Sequence, residues 1–131
     1  MNPADVIVEA GKLAAEGEPY ALATVVNVVR PASARRGDRA LVRADGTVVG
    51  WVGGACSEPI VVREALRALA DGEARLVRIG PAGRVAAGAA PDTVVAASSC
   101  ASEGVVEVLV EPQLAAPLLA VVGESPAAET L

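Results

Sequence analysis

The sequence contains no histidine and no phenylalanine in its 131 residues, and it has one tryptophan and one tyrosine. Histidine is the side chain most often used as a general base and as a metal ligand. Because none is present, serine–histidine and cysteine–histidine nucleophile systems cannot be assembled within this chain.

Cysteine is also scarce, with only Cys56 and Cys100 in the whole sequence. The two are too far apart to form the Cys-x-x-Cys pair of a structural zinc site. In a reducing compartment structural disulfides are rare, so we expect any chemical role of these residues to be that of a thiol.

Positive charge and long apolar runs are both lacking. The 11 basic residues are outnumbered by 16 acidic ones, giving a net charge of −5, and no basic stripe is interleaved with aromatic residues. This argues against a nucleic-acid partner. No apolar run approaches the roughly 18 to 20 residues that span a bilayer, and the first residues lack a basic region followed by an apolar one. We therefore expect a cytoplasmic protein with no membrane partner.

The sequence does contain enough apolar residues for a folded core, since 53% are hydrophobic, mostly Ala, Val and Leu. Apolar periodicity, turn residues and helix caps predict an α/β fold in which a mixed sheet carries two main helices. We predict helices over residues 2–16 and 57–72, a central buried strand over 20–29, and an Asp45-Gly46 hairpin. Further strands are predicted over 74–79, 93–99 and 104–110, with a loop over 80–92.

The sequence pattern of the last residues differs from that of the rest of the chain. Residues 1–112 are predicted to be one domain and 113–117 a linker. Residues 118–131 have the pattern of a first parallel strand and a helix start, which we interpret as the beginning of a truncated Rossmann-like domain. Its turn carries one glycine, Gly123, where a dinucleotide-binding turn has several, so we expect no nucleotide binding by this chain alone.

The main chemical feature is the segment GWVGGACSEP, residues 50–59, which joins a strand to a helix through Gly53 and Gly54. It places Cys56 and Glu58 at a helix N-terminus, where the dipole favours anions and lowers the pKa of a thiol. The other interpretation is purely structural: a tight glycine turn, a small buried cysteine and an ordinary first-turn carboxylate.

Two further segments could contribute to a site. Cys100 lies between small polar residues in SSCASEG, and it could be either a second functional thiol or a neutral replacement for serine. Residues 30–39 contain four arginines, which could clamp a phosphate or a pterin, although such a run is more often a solvated loop.

These motifs resemble the XdhC/CoxI family of accessory proteins, which serve molybdenum hydroxylases of the xanthine dehydrogenase and carbon monoxide dehydrogenase type. The family's S-G-G-C-x-E turn corresponds to residues 53–58, with an upstream Asp-Gly-x-x-x-Gly at Asp45, Gly46 and Gly50. Its Cys-x-x-x-Gly motif before a strand ending in Glu-Pro corresponds to Cys100, Gly104 and residues 105–112. Residues 30–37 keep the length and final glycine of its G-S-S-P-R-x-x-G loop, but Ser33-Ala34 replaces the Pro-Arg pair.

The resemblance implies a cofactor chaperone or maturation factor rather than a catalyst. It implies transient binding of the molybdenum cofactor (molybdopterin), protection while a cysteine desulfurase partner supplies sulfur, and delivery to the apo-hydroxylase. Association as a homodimer is left open. The implied cofactor-binding residues are Gly53, Gly54, Cys56, Glu58 and Cys100, with Cys56 contacting the metal.

Two alternatives stay open at this level. The chain could be a sulfur-transfer protein that carries a persulfide on Cys56. It could instead be a docking domain that binds the hydroxylase and has no cofactor site of its own.

Overall fold

The computed structural model describes residues 3–98 and 104–114, which form two helices and six strands. In chain order these are α1 (Pro3–Glu16), β1 (Tyr20–Val29), β2 (Arg39–Arg43), β3 (Val48–Gly50), α2 (Glu58–Asp71), β4 (Arg75–Pro81), β5 (Val94–Ser98) and β6 (Val105–Gln113). Cys100 and residues 115–131 lie outside the described residues. The linker and the truncated Rossmann-like domain therefore stay predictions. No described helix is long and apolar enough to cross a membrane.

All six strands form one sheet, in the order β3-β2-β1-β6-β4-β5. Neighbouring strands are antiparallel except β4 and β5, which are parallel. The predicted mixed sheet with two helices is confirmed. The predicted central position of the strand over 20–29 is also confirmed, because β1 pairs with β2 on one side and with β6 on the other.

The helices cover opposite faces of this sheet. Val61, Ala65 and Ala68 of α2 pack into a core with inward-facing residues of β1, β2, β4 and β6. Val6, Ala10 and Leu13 of α1 form a smaller core with Tyr20 and Leu41, near the β3 edge of the other face. The two cores therefore lie on either side of β1 and β2, and Val52, which follows β3, belongs to the core of α2.

The buried face of α2 differs from the predicted one. Apolar residues at helical spacing predict that Ile60, Ala65, Leu66, Leu69 and Ala70 face the core. The buried residues are instead Val61, Glu64, Ala65 and Ala68. Leu66 is 37% exposed and Glu64 only 1%. The Glu64 carboxylate accepts hydrogen bonds from Arg63 Nε at 3.1 Å and Arg67 Nη1 at 2.8 Å. These bonds offset its desolvation, so a charged residue occupies a position that hydrophobicity alone would give to leucine.

Strand β6 continues past the residue at which we expected it to end. The strand was predicted over residues 104–110, but Pro112 pairs with Ala21 and the strand ends at Gln113. On its other side β6 has no neighbour at this point, because β4 begins at Arg75, opposite Val110. A missing N–H costs little where one side of a strand is unpaired.

The loop after β4 is fixed by a buried arginine. Arg78 is 7% exposed, and it donates from Nε to the carbonyl of Val85 at 2.7 Å and from Nη2 to the carbonyl of Ala87 at 2.6 Å. Val85 is itself buried. The sequence predicted this loop, but it did not predict the contacts that hold the loop against the sheet.

Candidate functional site

The glycine turn between β3 and α2 is shaped by backbone conformations that favour glycine. Gly50, Gly53 and Gly54 have φ angles of +100°, +132° and +80°. A side chain at Gly50 would also lie 2.5 Å from the carbonyl oxygen of Arg39 and 2.7 Å from Val6 Cγ2, so α1 could not pack as it does. The spacing of these glycines is thus explained by local geometry and by one close approach.

Helix α2 begins directly after this turn. Pro59 lies in its first turn and Gly72 ends it in the left-handed conformation, as the sequence predicted. Ser57 occupies the N-cap position, where serine commonly caps a helix, but it is buried and its side chain makes no capping hydrogen bond. Its hydroxyl instead faces Gly53, where an added Cβ would be 3.1 Å from Ser57 Oγ. The turn therefore folds back on itself.

The predicted site residues of the turn have different environments. Gly53 and Gly54 are half-buried, Cys56 is half-buried, and Glu58 is exposed at the first position of α2. Trp51, which sequence reasoning did not select, is 38% exposed and lies beside Gly54, with its Nε1 3.8 Å from the position of an added Cβ.

Cys56 is disulfide-bonded in the structure, whereas the sequence led us to expect a thiol. The other cysteine of the chain, Cys100, lies outside the described residues. A disulfide sulfur is not the nucleophilic or metal-binding form of cysteine, which is the thiolate. Any role of Cys56 as a ligand therefore requires prior two-electron reduction of this bond.

The arginine-rich loop lies against the glycine turn. Ala34, in the middle of the loop, is 4% exposed, and its Cβ is 3.7 Å from the position of a Cβ at Gly53. The loop also forms a cavity of about 650 Å³, whose lining includes Arg30, Arg35 and Arg36. The structure thus brings together two of the segments that sequence reasoning considered separately, and one of them forms a pocket instead of a simple solvated loop.

Gly104 connects the second motif to the same region. Its N–H donates to the carbonyl of Pro31, which follows a cis peptide bond at Arg30. An added Cβ would overlap the carbonyl oxygen of Val29 and lie 2.8 Å from the carbonyl oxygen of Pro31. The glycine of the Cys-x-x-x-Gly motif is therefore needed for β6 to pack against the start of the arginine-rich loop.

Other charged residues form ion pairs that connect elements of the fold. Glu64 and Arg75 join α2 to β4, and Arg78 pairs with Glu107 across β4 and β6. Among residues 3–98 and 104–114, no group of three or more His, Cys, Asp or Glu side chains is arranged to hold a metal ion.

Comparison with known proteins identifies the family. The sequence pattern of the XdhC and CoxI family matches residues 13–80, more than half of the chain, including the glycine turn and the arginine-rich loop. The uncharacterized protein YqeB of Escherichia coli is 39% identical over 72 residues, which is 55% of this chain and 13% of YqeB.

A crystal structure described as a xanthine dehydrogenase from Bacillus halodurans has a similar fold, with a TM-score of 0.61 and 23% identity. The match covers 86% of this chain and 30% of that one. This chain thus spans less than a third of either relative. On the evidence of the family pattern, it belongs to the XdhC and CoxI family.

Proposed function

We propose that this chain binds the molybdenum cofactor, protects it during sulfuration, and passes it to a cytoplasmic molybdenum hydroxylase of the xanthine dehydrogenase or carbon monoxide dehydrogenase type. The main support is the packing of the glycine turn against the arginine-rich loop, through Gly53 and Ala34, in a chain of this family. On this proposal Cys56, once reduced, would be a soft ligand beside the cationic cavity of the neighbouring loop. A chelated metal with an anionic organic part needs both.

In this proposal each residue of the turn has a separate role. Reduced Cys56 contacts the metal or its sulfur, since thiolates are preferred ligands of soft metals. Gly53 and Gly54 let the backbone approach the ligand closely, because neither has a Cβ. Exposed Glu58 hydrogen-bonds to the ligand or holds a proton beside it. Cys100 is the second thiol. The cofactor itself supplies the metal centre on which the hydroxylase later depends.

The partners follow from this role. A cysteine desulfurase would supply sulfur and the apo-hydroxylase would accept the finished cofactor. The handover would occur without turnover of a substrate by this chain, which would act as a chaperone and not as a catalyst. If two copies of the chain associate, the second copy would cover the exposed Trp51 side chain.

Cofactor binding by reduced protein tests the proposal. Wild type, Cys56→Ser and Ala55→Ser are incubated with molybdenum cofactor under a reducing agent, and bound molybdenum and pterin are quantified after gel filtration. Ala55 is exposed in the same turn, so Ala55→Ser is the matched control. We expect Cys56→Ser to bind at least about tenfold more weakly, as is typical when a metal-site contact is lost, and Ala55→Ser to bind like wild type.

The alternatives give different results. Equal cofactor affinity in wild type and in the Cys56→Ser, Cys100→Ser double variant, with retained hydroxylase binding, would identify a docking domain. A persulfide on Cys56 in mass spectra, with no bound pterin, would identify a sulfur-transfer protein. Either result would overturn the proposal.

A further inference from the structure

The cavity in the arginine-rich loop is lined by both cationic and apolar residues. Arg30, Arg35 and Arg36 line it together with Val28, Ala32 and Ala34, and its volume is about 650 Å³. This volume lies within the range of pockets that bind small organic molecules, roughly 300 to 1,000 Å³. The cavity is therefore large enough for an anionic group together with the organic part that carries it.

Among residues 3–98 and 104–114, no ion pair neutralises the positive charge of the cavity. Five other arginines, at positions 43, 63, 67, 75 and 78, form ion pairs with carboxylates. Within the described part of the chain, no carboxylate lies at ion-pair distance from Arg30, Arg35 or Arg36. The nearby Asp38 carboxylate instead accepts a hydrogen bond from the backbone N–H of Arg35 at 2.8 Å. In a protein of net charge −5, this is a local concentration of positive charge that the described residues leave without an ion pair.

The loop is held in place at its start, middle and end. Gly104 packs against its start, and buried Ala34 anchors its middle. At its end, Gly37 N–H donates to the carbonyl of Val25 at 2.8 Å, and Val25 N–H donates to the carbonyl of Asp38 at 2.8 Å. A loop fixed in this way presents its arginines without a large ordering cost on binding.

We propose that this cavity binds the phosphate group of a small organic phosphate, with the apolar lining residues contacting the organic part. Guanidinium groups match phosphate oxygens with paired hydrogen bonds. Three guanidinium groups also carry more positive charge than a ligand with a single carboxylate would neutralise. Under the proposed function the ligand is the phosphate end of the pterin cofactor, and only that identification rests on the proposed function. Phosphate binding itself follows from the cavity.

Titration calorimetry with pyrophosphate, and with adenosine monophosphate against adenosine, tests this inference. Arg30→Gln and Arg36→Gln remove cavity charges, whereas Arg39→Gln removes an equal charge from an exposed residue that does not line the cavity. We expect saturable binding of pyrophosphate and of the monophosphate, but not of adenosine. Because a hydrogen bond between charged groups contributes about 1.5 to 3 kcal/mol, each cavity variant should bind at least about tenfold more weakly. Arg39→Gln should change affinity less than about threefold.

The controls separate this inference from the proposed function. Saturable pyrophosphate binding by a wild-type protein that takes up no cofactor would support this inference and overturn only the proposed function. The arginine side chains at all three substituted positions are exposed, so we expect thermal unfolding like that of wild type. This measurement verifies that each variant is folded. Absence of saturable binding by wild type, or an equal loss of affinity in Arg39→Gln and the cavity variants, would overturn the inference, since the attraction would then be non-specific.

Discussion

Arg78 on β4 and Glu107 on β6 occupy paired positions of the sheet and form an ion pair, with 2.8 Å between Nη1 and Oε2. The same guanidinium donates to two carbonyls of the loop after β4. Asn27 on β1 donates to the other carboxylate oxygen, Oε1, at 3.3 Å. One buried cation thus joins three strands and a loop on the side of the sheet away from α2.

Removing this cation should strongly destabilise the protein. Arg78→Met leaves Glu107 without its ion-pair partner and two carbonyls without donors, so we expect a loss of about 3 kcal/mol in the free energy of unfolding. Urea denaturation measures it. Arg63→Met is the control, because Arg63 is half exposed and Glu64 keeps Arg67 and Arg75; it should cost less than about 1 kcal/mol. Equal losses in the two variants would contradict this account.

Gly104→Ala should prevent native packing of β6 on the start of the arginine-rich loop. The added methyl group would overlap the Val29 carbonyl oxygen, and backbone atoms cannot move aside as a flexible side chain can. We expect a loss of about 3 kcal/mol or more, or failure to fold. At Gly83 an added Cβ meets nothing within 4 Å, so Gly83→Ala should change stability by less than about 1 kcal/mol. Thermal unfolding of both variants compares them, and a stable Gly104→Ala protein would disprove the close approach.

Acid should weaken the contact between Asp71 and Arg75 at the end of α2. The hydrogen bond from Arg75 lowers the pKa of Asp71 below its ordinary value of 3.8, with a further contribution from the backbone N–H of Glu73. Because the folded state favours the ionised form, this stabilisation is complete above pH 3.8 and is lost as pH falls through the lower folded pKa.

In Asp71→Asn this part of the pH dependence is absent. The variant should be less stable than wild type at neutral pH, and the difference should shrink in acid. Midpoints of thermal unfolding from about pH 7 to about pH 2 measure it. A constant difference over that range would show that the carboxylate does not contribute through its ionisation.

Several elements of the fold were predictable because their causes are local in the sequence. Helix α1 has Pro3 at its start, apolar residues at helical spacing and Gly17 after its end. The β2–β3 hairpin follows from Asp45-Gly46, and the Asp45 side chain accepts hydrogen bonds from Thr47 N–H and Oγ1. Cys56 and Glu58 could also be placed at a helix start from the glycines, serine and proline around them.

Other features could not be predicted because they depend on which distant residues meet. Leu66 of α2 was expected inside, but Glu64 is buried and Leu66 is exposed. Three arginines satisfy the Glu64 carboxylate, and one of them, Arg75, comes from β4. The sequence did not predict the cavity, for a similar reason. Four arginines in ten residues look like a solvated loop until Ala34 and Gly104 are seen to fix that loop against the rest of the protein.

The sequence by itself determined the helices, most strand positions, the hairpin and the family motifs, because periodicity, caps and turn residues act over a few neighbours. The tertiary structure decided the order of the strands, the partners of Glu64 and Arg78, and the contact of the glycine turn with the arginine-rich loop. These depend on packing between segments far apart in the chain. A buried charge or a close backbone approach is stable only when a distant partner is in place.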